Sequence, residues 1–374
     1  MIAIATSTRA DWGLLSPLAK ELQKRGIPYT VLASNMHLMP EMGMTVDDIR
    51  AAGENPVELA TAGATISETL ANSTRMHGEW FAENKPDAVI ILGDRYEMLG
   101  VASAATVNGS PIIHIAGGTV SEGAMDNAIR NAISQLASLH LTETEKCAAR
   151  LEGMGIDKGN IIVSGAIGVW NTLNVPLMSR EELQESLGRK LPEKFFVGTL
   201  HAATLDSIPP EKQMEEFLAG IEGFMEARPG YGAILTYPNN DTDPTPLIAM
   251  LKDFEARHPE SVIVVPSLGM RRYLSAVALS EGVIGNSSSG IVEVASLGVP
   301  TLDIGLRQNG RERAVSVIHC DATRGAITMS LSLITTPMIK GVAAKRVNPY
   351  YHADTPAVMA DAIEEWLRNK YTQH

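Results

Sequence analysis

Residues 283–313 read VIGNSSSGIVEVASLGVPTLDIGLRQNGRER, and this stretch decides how the chain is expected to fold. Its apolar start ends at a glycine and an asparagine, and three serines and a second glycine follow before apolar residues recur at helical spacing from Ile291. A glycine and Pro300 then end the helix ahead of a second buried strand, residues 300–304. A small polar turn between a strand and a helix presents unpaired backbone N–H groups and the positive end of the helix dipole, which together bind phosphate. The stretch therefore predicts a phosphate-binding turn, or else an ordinary βαβ turn with an N-cap serine.

Side chains around this turn favour a nucleotide diphosphate over a plain turn. The serine hydroxyls can donate to the same anion as the backbone. Glu293 is expected one turn into the helix, where its carboxylate can accept hydrogen bonds from a ribose diol. The arginines that follow the second strand can neutralise a diphosphate. The predicted nucleotide-binding residues are Ser287, Ser288, Ser289, Gly290, Glu293, Arg307 and Arg311, with Arg313 as a further cation.

Composition excludes several classes of protein. A chain of 374 residues is too long to fold around one typical hydrophobic core, so two domains are expected. Hydrophobic content of 45% with 20% charged residues is typical of a folded chain rather than a disordered one. The net charge of −12 argues against nucleic acid or an anionic membrane as a partner, although a few local arginines can still hold a small anion.

Cysteine usage and hydropathy indicate the cytoplasm. Cys147 and Cys320 are far apart and lack metal-ligand spacing, so neither a disulfide framework nor a metal site is expected. Residues 1–5 lead into a strand rather than a secretory signal peptide. No apolar run approaches the roughly 20 residues that span a bilayer.

Apolar strands and amphipathic helices alternate in two successive runs. The first run has predicted strands at 2–5, 29–33, 88–92, 111–115, 139–141 and 161–164, with helices after residue 13, at 45–52, at 66–83, up to 107, from 122 and at 143–153. After a connection at 165–193, the second run has strands at 195–200, 233–237, 262–265, 283–284 and 300–304, with helices at 209–227, 246–257 and 269–280. This alternation predicts two Rossmann-like, doubly wound α/β domains, residues 1–170 and 171–374, that face each other across a cleft. A last helix at 356–370 is expected to pack back on the first domain.

Polar side chains that follow predicted strands are the remaining candidates, because doubly wound sheets bind ligands at the carboxyl ends of their strands. Asp94 can instead be only an N-cap, and Asp126 with Arg130, four residues on, can be a surface ion pair. His37 is either a ligand contact or a loop histidine. The cleft is expected to collect Arg9, Asp94, His114 and Asp126 from the first domain and His201, Asn239 and residues 285–311 from the second, with His37 and Arg130 as further binding candidates.

Seven motifs, read in order along nearly the whole chain, resemble the hydrolysing UDP-N-acetylglucosamine 2-epimerases of sialic and legionaminic acid biosynthesis. They are TSTRADWGLL (6–15), NMHLMP (35–40), GDRYE (93–97), HIAGG (114–118), TLHAATLD (199–206), YPNNDTD (237–243) and GNSSSGIVE (285–293) with its RQNGR (307–311). The resemblance implies a glycosyltransferase B type fold with the nucleotide in the interdomain cleft. It also implies a UDP-linked amino sugar as substrate, a homodimer or homotetramer, and neither a metal nor a redox cofactor.

The resemblance further implies a mechanism and a role for each matching residue. Enzymes of this family are thought to eliminate UDP in the anti sense, giving a 2-acetamidoglycal, and then to add water with inversion at C2. This chemistry needs a base for the C2 proton, a group that supports the departing diphosphate and a group that activates water. Asp94 and Asp126 match the acid/base carboxylates, and His201 matches a histidine near the diphosphate. The residues that match nucleotide contacts are Arg9, Arg95, Asn239, Ser287, Ser288, Glu293 and Arg307.

Three departures from the family pattern concern the chemistry. Relatives often carry glutamate where this chain has Ala116 and Thr119, and an acidic pair where it has Asp126 and Asn127. Residues 202–203 are two alanines where many relatives have Pro–Val. Glu122 is a candidate to replace the missing carboxylate.

Several functions therefore stay open beside hydrolytic 2-epimerisation. The substrate can be UDP-GlcNAc or UDP-2,4-diacetamido-2,4,6-trideoxyglucose, and the sequence does not separate UDP from GDP. The alternatives are a non-hydrolysing nucleotide-sugar 2-epimerase, a glycosyltransferase of the same fold and a catalytically inactive nucleotide-sugar binding protein.

Overall fold

A computed structural model describes residues 1–120, 125–202, 208–239 and 243–372. The chain divides into two compact units. The first unit comprises Met1–Thr119, Met125–Asn171 and the chain from His352, and the second comprises Val120 with Thr172–Tyr351. Both are parallel α/β sheets with helices, as the alternation of strands and helices predicted.

The first unit is built on a parallel sheet with strand order β3-β2-β1-β4-β5-β6-β7. Its strands are β1 Ile2–Thr6, β2 Tyr29–Ser34, β3 Val57–Leu59, β4 Ala88–Leu92, β5 Ile112–Ile115, β6 Leu139–Thr142 and β7 Ile161–Val163. The central strands consist mainly of aliphatic residues and are almost entirely buried, because helices cover both faces of the sheet. The strand order reverses between β1 and β4, so the loops after these strands diverge to leave a crevice at the carboxyl edge.

The helices of the first unit pack on this sheet. They are α1 Arg9–Lys24, α2 Val46–Ala51, α3 Ile66–Asn84, α4 Tyr96–Val107, α5 Met125–Leu136, α6 Glu145–Gly153, α7 Ile167–Asn174, whose residues after Asn171 belong to the second unit, and, at the C-terminal end, α15 Thr355–Thr372. Met359 and Ile363 of α15 join the buried cluster of β1 and α1. Arg25 at the end of α1 donates to the Ala357 carbonyl at 3.2 Å and pairs with Asp361. The last helix therefore belongs to the first unit, although the second unit precedes it in the chain.

The second unit repeats the architecture with strand order β10-β9-β8-β11-β12-β13. Its strands are β8 Lys194–Thr199, β9 Tyr231–Thr236, β10 Val262–Val265, β11 Gly282–Gly285, β12 Thr301–Ile304 and β13 Val317–Cys320. Its helices are α8 Arg180–Leu187, α9 Pro210–Ala227, α10 Thr245–Arg257, α11 Gly269–Leu279, α12 Ser288–Val292, α13 Arg324–Ile334 and α14 Pro337–Ala343. Phe196, Phe217, Phe224 and Phe254 are buried in its largest core cluster. The strand order reverses between β8 and β11, which places the loop after residue 199 beside the loop after residue 285.

Several elements were absent from the sequence-based prediction. Strands β3 and β13 are only three and four residues long and carry polar residues, so their hydropathy pattern is too short to predict a strand. Helix α7 lies in the segment that was predicted to be a connection, and α13 and α14 were not predicted. The helix predicted from residue 122 is described from Met125, because residues 121–124 lie outside the described part of the chain.

Helices α13 and α14 of the second unit are apolar enough to be compared with membrane-spanning helices. Within the described ranges, no single helix has the length and hydropathy needed to cross one. Helices α13 and α14, bent by 71° at their junction, pass that test of length and composition only as a pair. Ile327, Leu331, Ile334 and Ile339 of this pair are buried in the core of the second unit.

Candidate active site

The loop after β1 is a rigid turn that carries an exposed arginine. Thr8 caps α1 by accepting from the Asp11 N–H at 3.2 Å, and the Asp11 carboxylate accepts from the N–H groups of Ser7 and Thr8. Burial raises the pKa of Asp11. Arg9 lies 3.4 Å from Asp48, with both side chains more than half exposed. An exposed pair of this kind is worth about 0–1 kcal/mol, so the Arg9 guanidinium can exchange that contact for a ligand.

His37 is held inside the first unit. Its Nε2 lies 2.9 Å from the Thr6 hydroxyl and its Nδ1 lies 2.8 Å from the Thr45 hydroxyl. The side chain is fully buried, and burial lowers the pKa of His37 to about 4. Both ring nitrogens thus lie within hydrogen-bond distance of hydroxyl groups, and the ligand contact stays a prediction beside the loop histidine.

Arg130 connects the ends of two strands. Its guanidinium, only 4% exposed, pairs with the Asp94 carboxylate and donates to the Thr119 carbonyl at 2.7 Å. Asp94 follows β4 and Thr119 follows β5, so the arginine reaches the carboxyl edge of the sheet from α5. The predicted surface ion pair between Arg130 and Asp126 is therefore wrong in placing Arg130 at the surface, because a buried guanidinium needs a buried acceptor. Asp126 lies half-buried in the first turn of α5.

Arg95 is fixed by a carboxylate that the sequence analysis did not single out. The guanidinium donates to Glu97 Oε1 at 2.8 and 3.0 Å, and the Asn35 amide donates to the same oxygen at 2.7 Å. Glu97 is fully buried at the start of α4. Arg95 keeps about a third of its side chain exposed and so presents a positioned cation at the end of β4.

His114 supports the turn that carries Asp94. Its Nε2–H donates to the Gly93 carbonyl at 2.8 Å, so in the neutral ring Nδ1 accepts from the Ser134 hydroxyl, 3.1 Å away. The side chain is fully buried, and burial lowers the pKa of His114 to about 4. The structure therefore places this predicted substrate contact beneath the loop, where it orients backbone.

The loop after β5 takes a shape that only some residues allow. Ala116 has φ +64° and Gly118 has φ +79°. A Cβ on Gly118 would lie 2.3 Å from the Cys147 carbonyl oxygen, so this position requires glycine. Thr119, which is buried, donates its hydroxyl to Glu143 Oε2 at 2.9 Å. Glu143 directly follows β6, and that position after a predicted strand was the one sequence signal that could have identified it. Glu122, the predicted substitute carboxylate, lies outside the described residues.

In the second unit, Asn286 joins two strand-end loops. Its side-chain oxygen accepts from the His201 N–H at 2.7 Å, and its amide donates to the His201 carbonyl at 2.9 Å. The preceding Gly285 has φ +126°, and a Cβ there would lie 2.0 Å from the Thr199 carbonyl oxygen. The close approach of β11 to β8 thus depends on this glycine. Residues 203–207 lie outside the described ranges.

His201 has a defined tautomer. Its Nδ1 accepts from the backbone N–H of Asn239 at 3.0 Å. In the neutral ring the proton then lies on Nε2, which can donate to a ligand. The two sequence-predicted residues are therefore brought together through the backbone of Asn239.

The turn at residues 285–289, which we call the serine turn, differs from its prediction in where the following helix begins. Helix α12 spans Ser288–Val292, Glu293 lies one turn after its start as predicted, and a 3-10 helix at Val294–Leu297 follows before Gly298. The Ser289 hydroxyl donates to the Glu293 carboxylate. The helix begins before the first apolar residue, Ile291, because the serines already form its first turn. Ser287 is the N-cap and Gly290 is buried within the turn.

The arginines after β12 divide into two roles. Arg307 donates to the Asn286 carbonyl at 3.1 Å, and Gln308 donates to the same oxygen at 2.8 Å, which places the Arg307 guanidinium at the serine turn. Arg313 instead donates to the buried Asp303 carboxylate at 2.7 and 3.0 Å. Arg313 therefore has a carboxylate partner within the second unit, and its role toward a diphosphate stays a prediction. Arg311 is half-buried on the same loop.

In the part of the chain that the structure describes, no group of three or more histidine, cysteine, aspartate or glutamate side chains is arranged to hold a metal ion.

Comparison with known proteins places this geometry in a family. The sequence profile described as UDP-N-acetylglucosamine 2-epimerase matches residues 20–364. The chain is 31% identical over 349 residues to the UDP-N,N'-diacetylbacillosamine 2-epimerase (hydrolyzing) of Legionella pneumophila, covering 91% of this chain and 90% of that protein. It is 30% identical to the GDP/UDP-N,N'-diacetylbacillosamine 2-epimerase (hydrolyzing) of Campylobacter jejuni, covering 86% and 84%.

Solved structures show the same fold. The UDP-GlcNAc 2-epimerase of Neisseria meningitidis bound to UDP-GlcNAc superposes with a TM-score of 0.82 at 17% identity, covering 97% of this chain and 99% of that one. The Methanocaldococcus jannaschii UDP-GlcNAc 2-epimerase in complex with UDP-GlcNAc and UDP gives a TM-score of 0.77 at 19% identity, covering 97% of this chain and 99% of that one. The two-domain α/β fold and the family resemblance inferred from the motifs are both confirmed, and the chain belongs to the UDP-N-acetylglucosamine 2-epimerase family.

Proposed function

We propose that the protein is a hydrolysing 2-epimerase that converts a UDP-linked 2-acetamido sugar to the free manno-configured sugar and UDP. The observation that carries this proposal is the similarity, over about nine tenths of the chain, to relatives whose names specify hydrolytic 2-epimerisation. Two donors fit the proposal, UDP-GlcNAc and UDP-2,4-diacetamido-2,4,6-trideoxyglucose, and the name of the Campylobacter relative adds GDP as a possible nucleotide.

The proposed reaction proceeds by elimination and hydration. A base removes the C2 proton, the electron pair of that C–H bond forms the C1=C2 double bond, and the C1–O bond to the diphosphate breaks. Water then adds its hydroxyl to C1, and a proton reaches C2 on the face opposite to the one that lost it. Asp94 is supported in an acid/base role by the guanidinium that fixes it, since proton transfer requires a positioned group. Asp126, on the same helix as Arg130, is the second proposed carboxylate.

The second unit is proposed to hold the nucleotide. His201 has an Nε2–H that can donate to the departing diphosphate. Arg307, placed at the serine turn by Asn286, can neutralise the diphosphate charge, and Glu293 with the serine hydroxyls can accept from or donate to the ribose and phosphates. Charge neutralisation of a leaving group in a preorganised site is among the largest contributions to such a barrier.

A panel of donors tests the proposal. Both UDP sugars and their GDP counterparts are incubated with the protein, and nucleotide release is measured with the sugar product identified. Release of UDP with a free manno-configured sugar is expected from at least one donor. Binding of UDP by calorimetry without turnover of any donor would contradict the proposal and favour an inactive binding protein, the alternative that Ala116 and Thr119 support because neither side chain transfers protons at neutral pH.

A further inference from the structure

We propose that Glu143 supplies the carboxylate that removes the C2 proton of the sugar, a role that rests on the proposed function. Glu143 directly follows β6, and its neighbour across the sheet edge is Thr119 after β5. Strands β4, β5 and β6 are adjacent in the sheet, so the residues that follow them share one edge.

A continuous series of contacts connects Glu143 to the other proposed carboxylate. The Thr119 hydroxyl donates to Glu143 Oε2 at 2.9 Å. The carbonyl of the same threonine accepts from Arg130 at 2.7 Å, and the second arm of that guanidinium pairs with Asp94. Two carboxylates are thereby held at neighbouring strand ends by one threonine and one arginine. The Thr119 hydroxyl therefore orients an acid, Glu143, that directly follows the next strand of the sheet.

The surroundings of Glu143 suit a base. Among the described residues, it makes no ion pair, and its hydrogen bond to Thr119 leaves Oε1 for another partner. The side chain is half-buried, so a ligand can reach it. The following residue, Thr144, caps α6 by accepting from the Cys147 N–H at 3.2 Å, which fixes the backbone next to Glu143. A carboxylate held by a fixed backbone and one hydroxyl is preorganised at little entropic cost.

The step balances without a further reactant. Glu143 accepts the C2 proton and becomes a carboxylic acid while the C1=C2 double bond forms and UDP leaves with the electron pair of the C1–O bond. Glu143 returns its proton to solvent. The proton that reaches C2 on the other face and the hydroxyl that reaches C1 both come from water.

Glu143→Gln tests the role, because glutamine keeps an oxygen for the Thr119 hydroxyl but cannot accept a proton. We expect kcat for nucleotide release to fall by about 100-fold or more, as for loss of a general base, with the affinity for UDP unchanged. A donor deuterated at C2 is expected to show a larger isotope effect with the variant than with the wild type, since proton removal becomes slower. Glu145→Gln, an exposed glutamate two residues on, is the matched control and should keep the wild-type kcat.

A second variant separates a chemical role from a structural one. Thr119→Glu in the Glu143→Gln background moves the carboxylate across the existing 2.9 Å contact, and it should recover kcat by about tenfold relative to Glu143→Gln. Glu143→Gln with kcat within twofold of the wild type would overturn the inference and leave the proposed function standing. A lower kcat with an unchanged isotope effect and no recovery by Thr119→Glu would overturn it as well. A wild-type protein that releases no nucleotide from any donor would overturn the proposed function itself.

Discussion

Buried imidazoles make the stability of the first unit depend on pH. His37, His77, His114 and His140 are each at most 1% exposed, and burial lowers the pKa of each from 6.5 to about 4. The unfolded chain binds these protons more tightly than the folded chain does. Keeping the four imidazoles neutral therefore costs no folding free energy above pH 6.5, and folding stability is lost as the pH falls toward 4. Each imidazole then lowers the free energy of unfolding by about 2 kcal/mol at pH 5 relative to pH 8. Four such groups together approach the 5–15 kcal/mol that stabilises a typical domain, as an order-of-magnitude estimate.

His77→Phe isolates one of these terms. The His77 ring packs 6.1 Å from the Phe81 ring and its Nδ1–H donates to the Ser73 carbonyl at 2.8 Å, so phenylalanine fills the same space without a titrating group. Between pH 8 and pH 5 the variant should lose about 2 kcal/mol less unfolding free energy than the wild type. Phe81→Leu is the control, since it removes packing next to the same ring and should lower stability equally at both pH values.

Urea unfolding followed by tryptophan fluorescence measures this difference in unfolding free energy for the first unit. All four tryptophans, Trp12, Trp80, Trp170 and Trp366, belong to the first unit, so the signal reports on that unit alone. If His77→Phe loses as much stability on acidification as the wild type, titration of this buried imidazole is not the cause and the reasoning fails.

Three further substitutions test the loops that carry the candidate site. Arg130→Met leaves Asp94 without its partner and should cost about 3–5 kcal/mol in urea unfolding, and a loss below 1 kcal/mol would mean that the pair is solvated. Gly118→Ala meets the Cys147 carbonyl and should abolish stable folding by circular dichroism, whereas Gly109→Ala, at similar φ with nothing within 4 Å, should cost only about 1–2 kcal/mol. Asn286→Ala removes both hydrogen bonds to the His201 backbone and should weaken UDP binding by about tenfold in calorimetry, and unchanged affinity would separate this contact from the nucleotide site.

Features set by local sequence were predictable. The alternation of buried strands with amphipathic helices predicted two parallel α/β sheets, because parallel strands need crossover helices and bury both faces. The serine turn was located from its glycine and serines alone, since Gly285 can adopt a backbone conformation that other residues cannot. These features depend on residues close together in the chain.

Features that depend on contacts between distant segments were not predictable in the same way. The pairing of Arg130 with Asp94 joins residues from α5 and the end of β4, and the contact of Thr119 with Glu143 crosses from one strand end to the next. The pairing of Arg313 with Asp303 was not predicted, because Asp303 reads in the sequence as part of a buried strand. The start of α12 was read at the first apolar residue, Ile291, whereas the helix begins at Ser288, because the serines that form its first turn carry no apolar signal.

In the proposed reaction the protein breaks the bond to the nucleotide and inverts C2 in one turnover. Running the reaction on the preferred donor in deuterium oxide, and examining the sugar by NMR, tests both events at once. We expect free UDP and a free manno-configured 2-acetamido sugar with one deuterium at C2. An intact nucleotide sugar labelled at C2, or a free sugar that keeps the gluco configuration and its original hydrogen, would contradict it.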